Sequence, residues 1–259
     1  MPTILFNEII FGPVKSRRLG VSLGINLLPL FGKICTFDCV YCECGMNADN
    51  QTGSLPKASE VYAALRAKLV EMKEVGPAPD VITFAGNGEP TIHPEFSLII
   101  DQTISLRNEF FPNARVSVLS NATQIDNPSV YNALIKVDQA ILKLDSAFDE
   151  TVRILNRPLA KAFTVRKLVE NMKAFNGNLI IQTLFIRGSY RGETFDNTTE
   201  EEVSAWIALL QEINPESVMI YAIERETPVK SVEKISLKEL NAIAKRVKTE
   251  TGIYVSVAG

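Results

Sequence analysis

All four cysteines of this chain fall within ten residues, in the stretch CTFDCVYCECG that runs from residue 35 to 45. Cys35, Cys39 and Cys42 follow the spacing C-x3-C-x2-C, and Cys44 stands two residues beyond. Three chemistries compete for such a loop: a disulfide staple, a zinc site and the ligand set of a redox cofactor. Structural zinc sites usually close a tetrahedron with two ligand pairs on separate knuckles, and this sequence has no second pair. The single histidine, His93, stands far downstream in TIHPE, where a turn role is the ordinary one. A cubane iron–sulfur cluster suits three thiolates better, because its irons lie close enough together for one loop to reach three corners. The fourth iron then stays open. That is wasteful for simple electron transfer but useful where a substrate or cofactor must coordinate. Cys44 is too closely tethered to Cys42 to span two corners of one cube, and reads as a small buried hydrophobe. Two rivals remain: a binding module with a structural zinc, and a simple iron–sulfur electron carrier that uses Cys44 as its fourth ligand.

The elements that must position this loop alternate along the chain. Val61, Leu65, Leu69 and Met72 recur at helical spacing, and that helix should stop near Gly76-Pro77. VITFAG (81–86) reads as a buried strand. A helix is expected over 96–108, a strand at RVSVLS (115–120), a helix at PSVYNALI (128–135) and a strand at AILKLD (140–145). The pattern continues with a helix over 161–175, LIIQTLFI (179–186), a helix over 199–212, SVMIYAI (217–223), a helix over 237–250 and a final short strand, IYVSV (253–257). With a first strand placed in LPLFGKI, just before Cys35, this makes six βα units. The fold class is α/β: a partial (β/α)6 TIM-type barrel with a short N-terminal extension. Residues 1–30 form that extension, with a hairpin around Gly20 to Gly24 packed on the barrel, and 31–259 form the core. Ligands of such sheets gather at the carboxyl ends of the strands. Ser120 and Asn121 in LSNAT, Lys143, Asp145 and Ser146 in KLDS, and Tyr221 lie at such ends, and Gln182 lies inside the fifth strand. Lys143 and Asp145 share one face of their strand, where an ion pair is the commonest role for such a couple. NRPLAKAF (156–163) and FIRGSYRGETFDN (185–197), with Arg157, Arg187 and Arg191, are candidate substrate loops.

The chain has 259 residues, 46% of them hydrophobic and 22% charged, as expected of a folded globular protein. Its net charge of −3 gives nonspecific phosphate binding no help, and only Lys15, Arg17 and Arg18 form a local basic patch. Nucleic-acid binding is therefore unsupported. No basic segment precedes the first apolar residues, Glu8 interrupts them, and no apolar run reaches membrane-spanning length. A cytoplasmic location without membrane attachment is expected. There thiols stay reduced, which disfavours the disulfide.

Cys35, Cys39, Tyr41 and Cys42 match the signature C-x3-C-x-aromatic-C, and in this the chain resembles the radical S-adenosylmethionine superfamily. A second motif supports the resemblance. FAGNGEPTIHP (84–94) follows the second strand, where members of that superfamily carry a Gly-Gly-Glu element that binds the methionine amino group. Gly86, Asn87, Gly88 and Glu89 take its place, with Asn87 interrupting the glycine pair. Glycines let backbone approach a ligand without a Cβ, carbonyls accept from an ammonium, and Glu89 offers a charge-assisted partner.

The resemblance implies a [4Fe-4S] cluster on Cys35, Cys39 and Cys42, with S-adenosyl-L-methionine chelated to the open iron. It also implies cofactor contacts from Asn121, Asp145, Ser146 and Gln182 to the ribose and methionine carboxylate, with Tyr41 and Tyr221 flanking the adenine. A one-electron donor of flavodoxin or ferredoxin type is implied as well, and reductive cleavage to a 5'-deoxyadenosyl radical for hydrogen abstraction from a substrate: a small molecule, a peptide or a modified nucleoside. Within the superfamily, FGPVKSRRLGVSLGINLLP, GNGEPTIHP and KLDS are similar to proteins near the wyosine-base tRNA enzymes. Those enzymes carry an upstream flavin domain or an additional cysteine set. This sequence carries no further cysteine, and their reaction is not carried over.

Overall fold

The computed structural model describes residues 4–16, 19–47 and 53–259. Arg17 and Arg18 of the basic patch lie outside the described residues. The chain divides into two compact units, one built from Leu5–Cys35 and Asn47–Ala140, the other from Thr36–Met46 and Ile141–Gly259.

In the first unit, β1 (Ile10–Ser16) and β2 (Gly20–Ile25) form an antiparallel hairpin. Helix α1 (Ala58–Val75) buries Val61, Leu65, Leu69 and Met72, the stripe its spacing predicts, and ends against Gly76. Strand β3 (Val81–Phe84) leads through a single 3-10 turn (Pro90–Ile92) to α2 (Phe96–Phe110), β4 (Arg115–Ser120) and α3 (Pro128–Leu134). Strand β2 pairs parallel with β3, and β3 with β4. The strand expected in LPLFGKI is therefore misplaced: that stretch makes only an isolated bridge, Ile34 to Gly88, and the parallel series begins at β2. The two glycines of GVSLGI give it the look of a turn. Gly24, however, serves packing, because a Cβ there would run into the Phe11 ring, which stacks on Phe6 at a centroid distance of 3.8 Å.

The second unit receives β5 (Gln139–Lys143) and continues with α4 (Asp149–Leu155), α5 (Val165–Lys173), β6 (Ile180–Leu184), β7 (Ile186–Tyr190), β8 (Glu193–Asp196), α6 (Glu200–Ile213), β9 (Ser217–Tyr221), β10 (Val232–Lys234), α7 (Leu237–Thr251) and β11 (Tyr254–Ala258). Strands β5, β6, β9 and β11 are parallel neighbours in that order. The apolar runs of β5, β6 and β9 are buried on both faces, as parallel strands covered by helices must be, while β11 is only partly buried.

Two corrections apply here. Helix α4 is too short to show a period, and buries only Val152 and Leu155. FIRGSYRGETFDN is not a loop but the hairpin β7–β8, to which β10 adds a third antiparallel strand. Arg187, offered as a substrate group, is held by Glu239 at 2.6 Å, Thr198 at 2.9 Å, Asp196 at 3.3 Å and Glu233 at 3.4 Å. That arginine ties β7 to β8, β10 and α7.

Candidate cofactor site

Within the first unit, the Gly86–Glu89 segment and the start of the cysteine loop are one construction. Ile34 N donates to Asn87 O at 2.9 Å and Glu89 N to Ile34 O at 3.1 Å, two backbone rungs immediately before Cys35. Between them stands Gly88 at φ +137°, where a Cβ would overlap the Ile34 carbonyl oxygen. The glycine is required because backbone meets backbone there. The Gly86–Glu89 motif is thus hydrogen-bonded to Ile34, the residue that leads into the cysteine motif.

Asn87 explains the interrupted glycine pair. It is fully buried, and its side chain accepts from Phe6 N at 2.8 Å and donates to Phe6 O and Pro29 O, each at 2.8 Å. Asn26, which no sequence pattern marks, assists by accepting from Asn87 N at 3.1 Å and Leu28 N at 3.2 Å. Asn87 therefore does for the N-terminal segment what a strand neighbour would do. Asn87→Ala removes three hydrogen bonds, one buried and two part-buried, and should cost about 2–3 kcal/mol. The Phe6 amide should then exchange much faster with deuterated solvent, and unchanged protection at Phe6 would contradict this role.

Glu89 is buried and organises its surroundings. Its Oε1 accepts from Thr91 N (3.1 Å), Thr91 Oγ1 (2.5 Å) and Ser120 Oγ (2.8 Å), and its Oε2 from Asn121 N (2.7 Å). Burial pushes its pKa up, against the pull of these donors. Asn121, so placed, accepts from Thr123 N (3.1 Å) and Thr123 Oγ1 (2.8 Å) through Oδ1 and donates from Nδ2 to Cys35 Sγ at 3.5 Å. His93 has the turn role expected of it: Nδ1 accepts from Glu95 N at 3.1 Å, which assigns the proton to Nε2, 2.9 Å from Pro56 O.

In the second unit Asp145 is the hub. Its Oδ1 accepts from Leu184 N at 2.9 Å, and its Oδ2 from the Tyr41 hydroxyl and from Asn156 Nδ2 at 2.7 Å. Lys143 Nζ lies 2.9 Å from Tyr41 Oη and 3.5 Å from Asp145 Oδ2. Burial alone would lower the lysine pKa, but Asp145 more than reverses this and holds the ammonium charged. Burial, then Asp145, raise the tyrosine. The expected ion pair is present, and through it Tyr41 is fixed two residues from Cys39 and beside Cys42. Asn156 also reaches Tyr41 Oη (3.0 Å) and Cys39 Sγ (3.5 Å). This residue, placed by the unforeseen α4, opens the NRPLAKAF stretch, but nothing in the sequence marked it as a partner of Tyr41 or Cys39.

Gln182 Nε2 is buried with no hydrogen-bond partner among the described residues. Tyr221 lies within hydrogen-bonding reach of Lys143. Ser146 is committed elsewhere: its hydroxyl donates to Glu202 Oε2 at 2.7 Å and accepts from Phe148 N at 2.9 Å. Thr151 Oγ1 donates to the other Glu202 oxygen at 2.5 Å. Burial raises the Glu202 pKa above the ordinary 4.5 despite these donors. A carboxyl raised in the folded state favours folding most below its unfolded pKa, and loses that contribution as pH climbs through the folded value. Glu202→Gln should therefore flatten the fall in urea midpoint as pH rises above the ordinary carboxylate range; a variant whose pH profile parallels the wild type would refute it.

Three thiolates on one loop are the donor chemistry that an iron–sulfur cluster takes. Among the described residues, which include every cysteine, no disulfide forms, and no group of three or more His, Cys, Asp or Glu side chains closes around a single-metal position. The orphaned Gln182 amide supplies a buried donor suited to an oxygen-rich ligand.

The family model described as the radical SAM superfamily matches residues 30–201. A UPF0026 protein of Methanocaldococcus jannaschii is 32% identical over 213 residues, which is 80% of this chain. The chain spans 61% of that relative's length. A radical SAM methyltransferase from Sphaerobacter thermophilus superposes at TM-score 0.67 with 17% identity, over 91% of this chain and 65% of that one. TYW1 with a lysine-pyruvate adduct bound superposes at 0.64 with 14% identity, over 89% and 74%. These likenesses show the fold, the partial TIM-type barrel expected of the sequence.

Proposed function

This chain belongs to the radical SAM superfamily, whose enzymes use a [4Fe-4S] cluster and S-adenosylmethionine, and from that premise we propose that Cys35, Cys39 and Cys42 hold the cluster and leave one iron for the cosubstrate. Held there and reduced by one electron, such a cluster would supply the electron for reductive cleavage of the sulfonium to methionine and a 5'-deoxyadenosyl radical, which would take a hydrogen atom from the substrate.

The protein's own residues bind and orient. Glu89 Oε2, which carries one donor here, has acceptor capacity for the methionine ammonium, beside the Gly86 and Gly88 backbone. Gln182 Nε2 donates to the methionine carboxylate or a ribose oxygen. Tyr41 and Tyr221 flank the adenine, and Asp145 acts through Tyr41 and Asn156 rather than by direct contact. Asn87 and Ser146, whose polar atoms are spent on the fold, support this site from behind. The Arg157 and Arg191 guanidinium groups both lie over the Tyr190 ring, at 4.8 and 5.2 Å; Arg157 pairs with Asp38 at 3.4 Å and donates to Tyr190 Oη at 2.8 Å, so Arg191 is the group offered to an acidic or phosphorylated part of a substrate. A flavodoxin or ferredoxin in the cytoplasm supplies the electron. Among the described residues no helix is long and apolar enough to cross a membrane.

The observation that carries this reading is the backbone junction between the cysteine loop and the Gly86–Glu89 segment. Anaerobic reconstitution with iron and sulfide, followed by dithionite and S-adenosylmethionine, should yield methionine and 5'-deoxyadenosine. Cys44→Ala should keep the cluster and Cys35→Ala lose it. A colourless chain with stoichiometric zinc would overturn the proposal in favour of a structural zinc module, and loss of the cluster on removing Cys44 would favour an electron carrier.

A further inference from the structure

We infer that Asn121 and Asn156 set the reduction potential of the cluster, each by donating an amide hydrogen to a different thiolate ligand. This rests on the ligand assignment proposed above. Asn121 is 5% exposed and Asn156 1%, so both side chains are largely withdrawn from solvent. Both are held in the donating orientation by their other contacts. Asn121 spends Oδ1 on the two donors of Thr123, and its backbone N–H on Glu89, which leaves the NH2 toward Cys35 Sγ at 3.5 Å. Asn156 faces the Asp145 carboxylate, an obligate acceptor, at 2.7 Å, which places NH2 rather than oxygen on that side and brings the second N–H toward Tyr41 Oη at 3.0 Å and Cys39 Sγ at 3.5 Å.

A cluster on thiolates is already anionic, and its one-electron reduction adds a further negative charge without moving a proton. Donor dipoles aimed at the ligand sulfurs stabilise the more negative state, and more strongly in a dry, low-dielectric surrounding than in water. The two asparagines therefore raise the potential toward the range of a biological one-electron donor. They are positioning residues that touch the ligands, not the substrate.

The test uses the full chain, reconstituted anaerobically, and reads the midpoint of the cluster by an EPR-monitored redox titration. Asn156→Leu and Asn121→Leu keep approximate volume and remove the donors. Each should load iron and sulfide as the wild type does and shift the midpoint to more negative potential, with the larger shift in the double variant. A merely structural role would change loading or stability and leave the midpoint of loaded protein in place. Loaded variants with wild-type midpoints would overturn the inference alone. A wild-type chain that takes up no cluster would overturn the ligand assignment and the inference with it. If the leucine variants fail to load, the wild type decides. With isotopically labelled asparagine amide nitrogen, pulsed EPR of the reduced protein should detect coupling from the labelled nitrogen to the cluster, and absence of that coupling would refute the assignment.

Discussion

Gly88→Ala should lose on the order of 3 kcal/mol or more of folding stability and should not load a cluster, an effect out of proportion to a single added methyl group. Two costs add. An alanine at φ +137° is strained wherever it stands, and here its Cβ would overlap the Ile34 carbonyl oxygen. That oxygen is backbone and cannot swing aside as a side chain would. Relief requires breaking the rungs Ile34 N to Asn87 O and Glu89 N to Ile34 O, which fix the residue before Cys35. In a domain of this size the melting temperature should fall by roughly 6–12 °C. Gly32→Ala is the control, since a Cβ there meets nothing within 4 Å. Thermal unfolding and iron content check both. A Gly88→Ala protein that melts and loads like Gly32→Ala would show that the junction does not hold the cysteine loop.

The second large effect belongs to Asp145. Asp145→Asn preserves shape but removes the anion facing Lys143, whose side chain is 15% exposed while that of Asp145 is wholly buried. An uncompensated buried ammonium should cost about 3–5 kcal/mol. Lys143→Met alone is milder, because the carboxylate keeps the Leu184 amide, the Tyr41 hydroxyl and the Asn156 amide as donors. The double variant should recover part of the loss, with a coupling of about 1–3 kcal/mol in a double-mutant cycle by urea unfolding. Strictly additive losses would mean the two charges do not feel each other. Because the same carboxylate holds Tyr41 in place, Asp145→Asn should also weaken S-adenosylmethionine binding more than Lys143→Met does.

Some of this was legible in the chain and some was not, and the difference follows the range of the interactions. The stripe Val61, Leu65, Leu69 and Met72 and the strand Arg115–Ser120 are local patterns, and each stands where its periodicity placed it. The first parallel strand was hidden because Gly24 looks like a turn residue until the Phe11 ring is seen against it. The three-stranded sheet was hidden because β10 meets β7 across more than forty residues of chain. Lys143 and Asp145 could be paired from strand alternation, yet nothing local announced Asn156 or Asn26.

The sequence by itself determined the chemistry: three thiolates at loop spacing, a glycine-rich stretch ending in a carboxylate, and alternating apolar segments that make an α/β scaffold. These depend on residue type and near-neighbour spacing, which the chain carries locally. Only the tertiary structure decided which polar groups are spent on the fold and which remain for a ligand. Asn87 turned to Phe6, Ser146 to Glu202, Glu89 to Ser120 and Asn121, and the Gln182 amide was left buried with no partner among the described residues. These contacts join residues distant in sequence, and the burial that makes an unmade one costly exists only once the chain has folded.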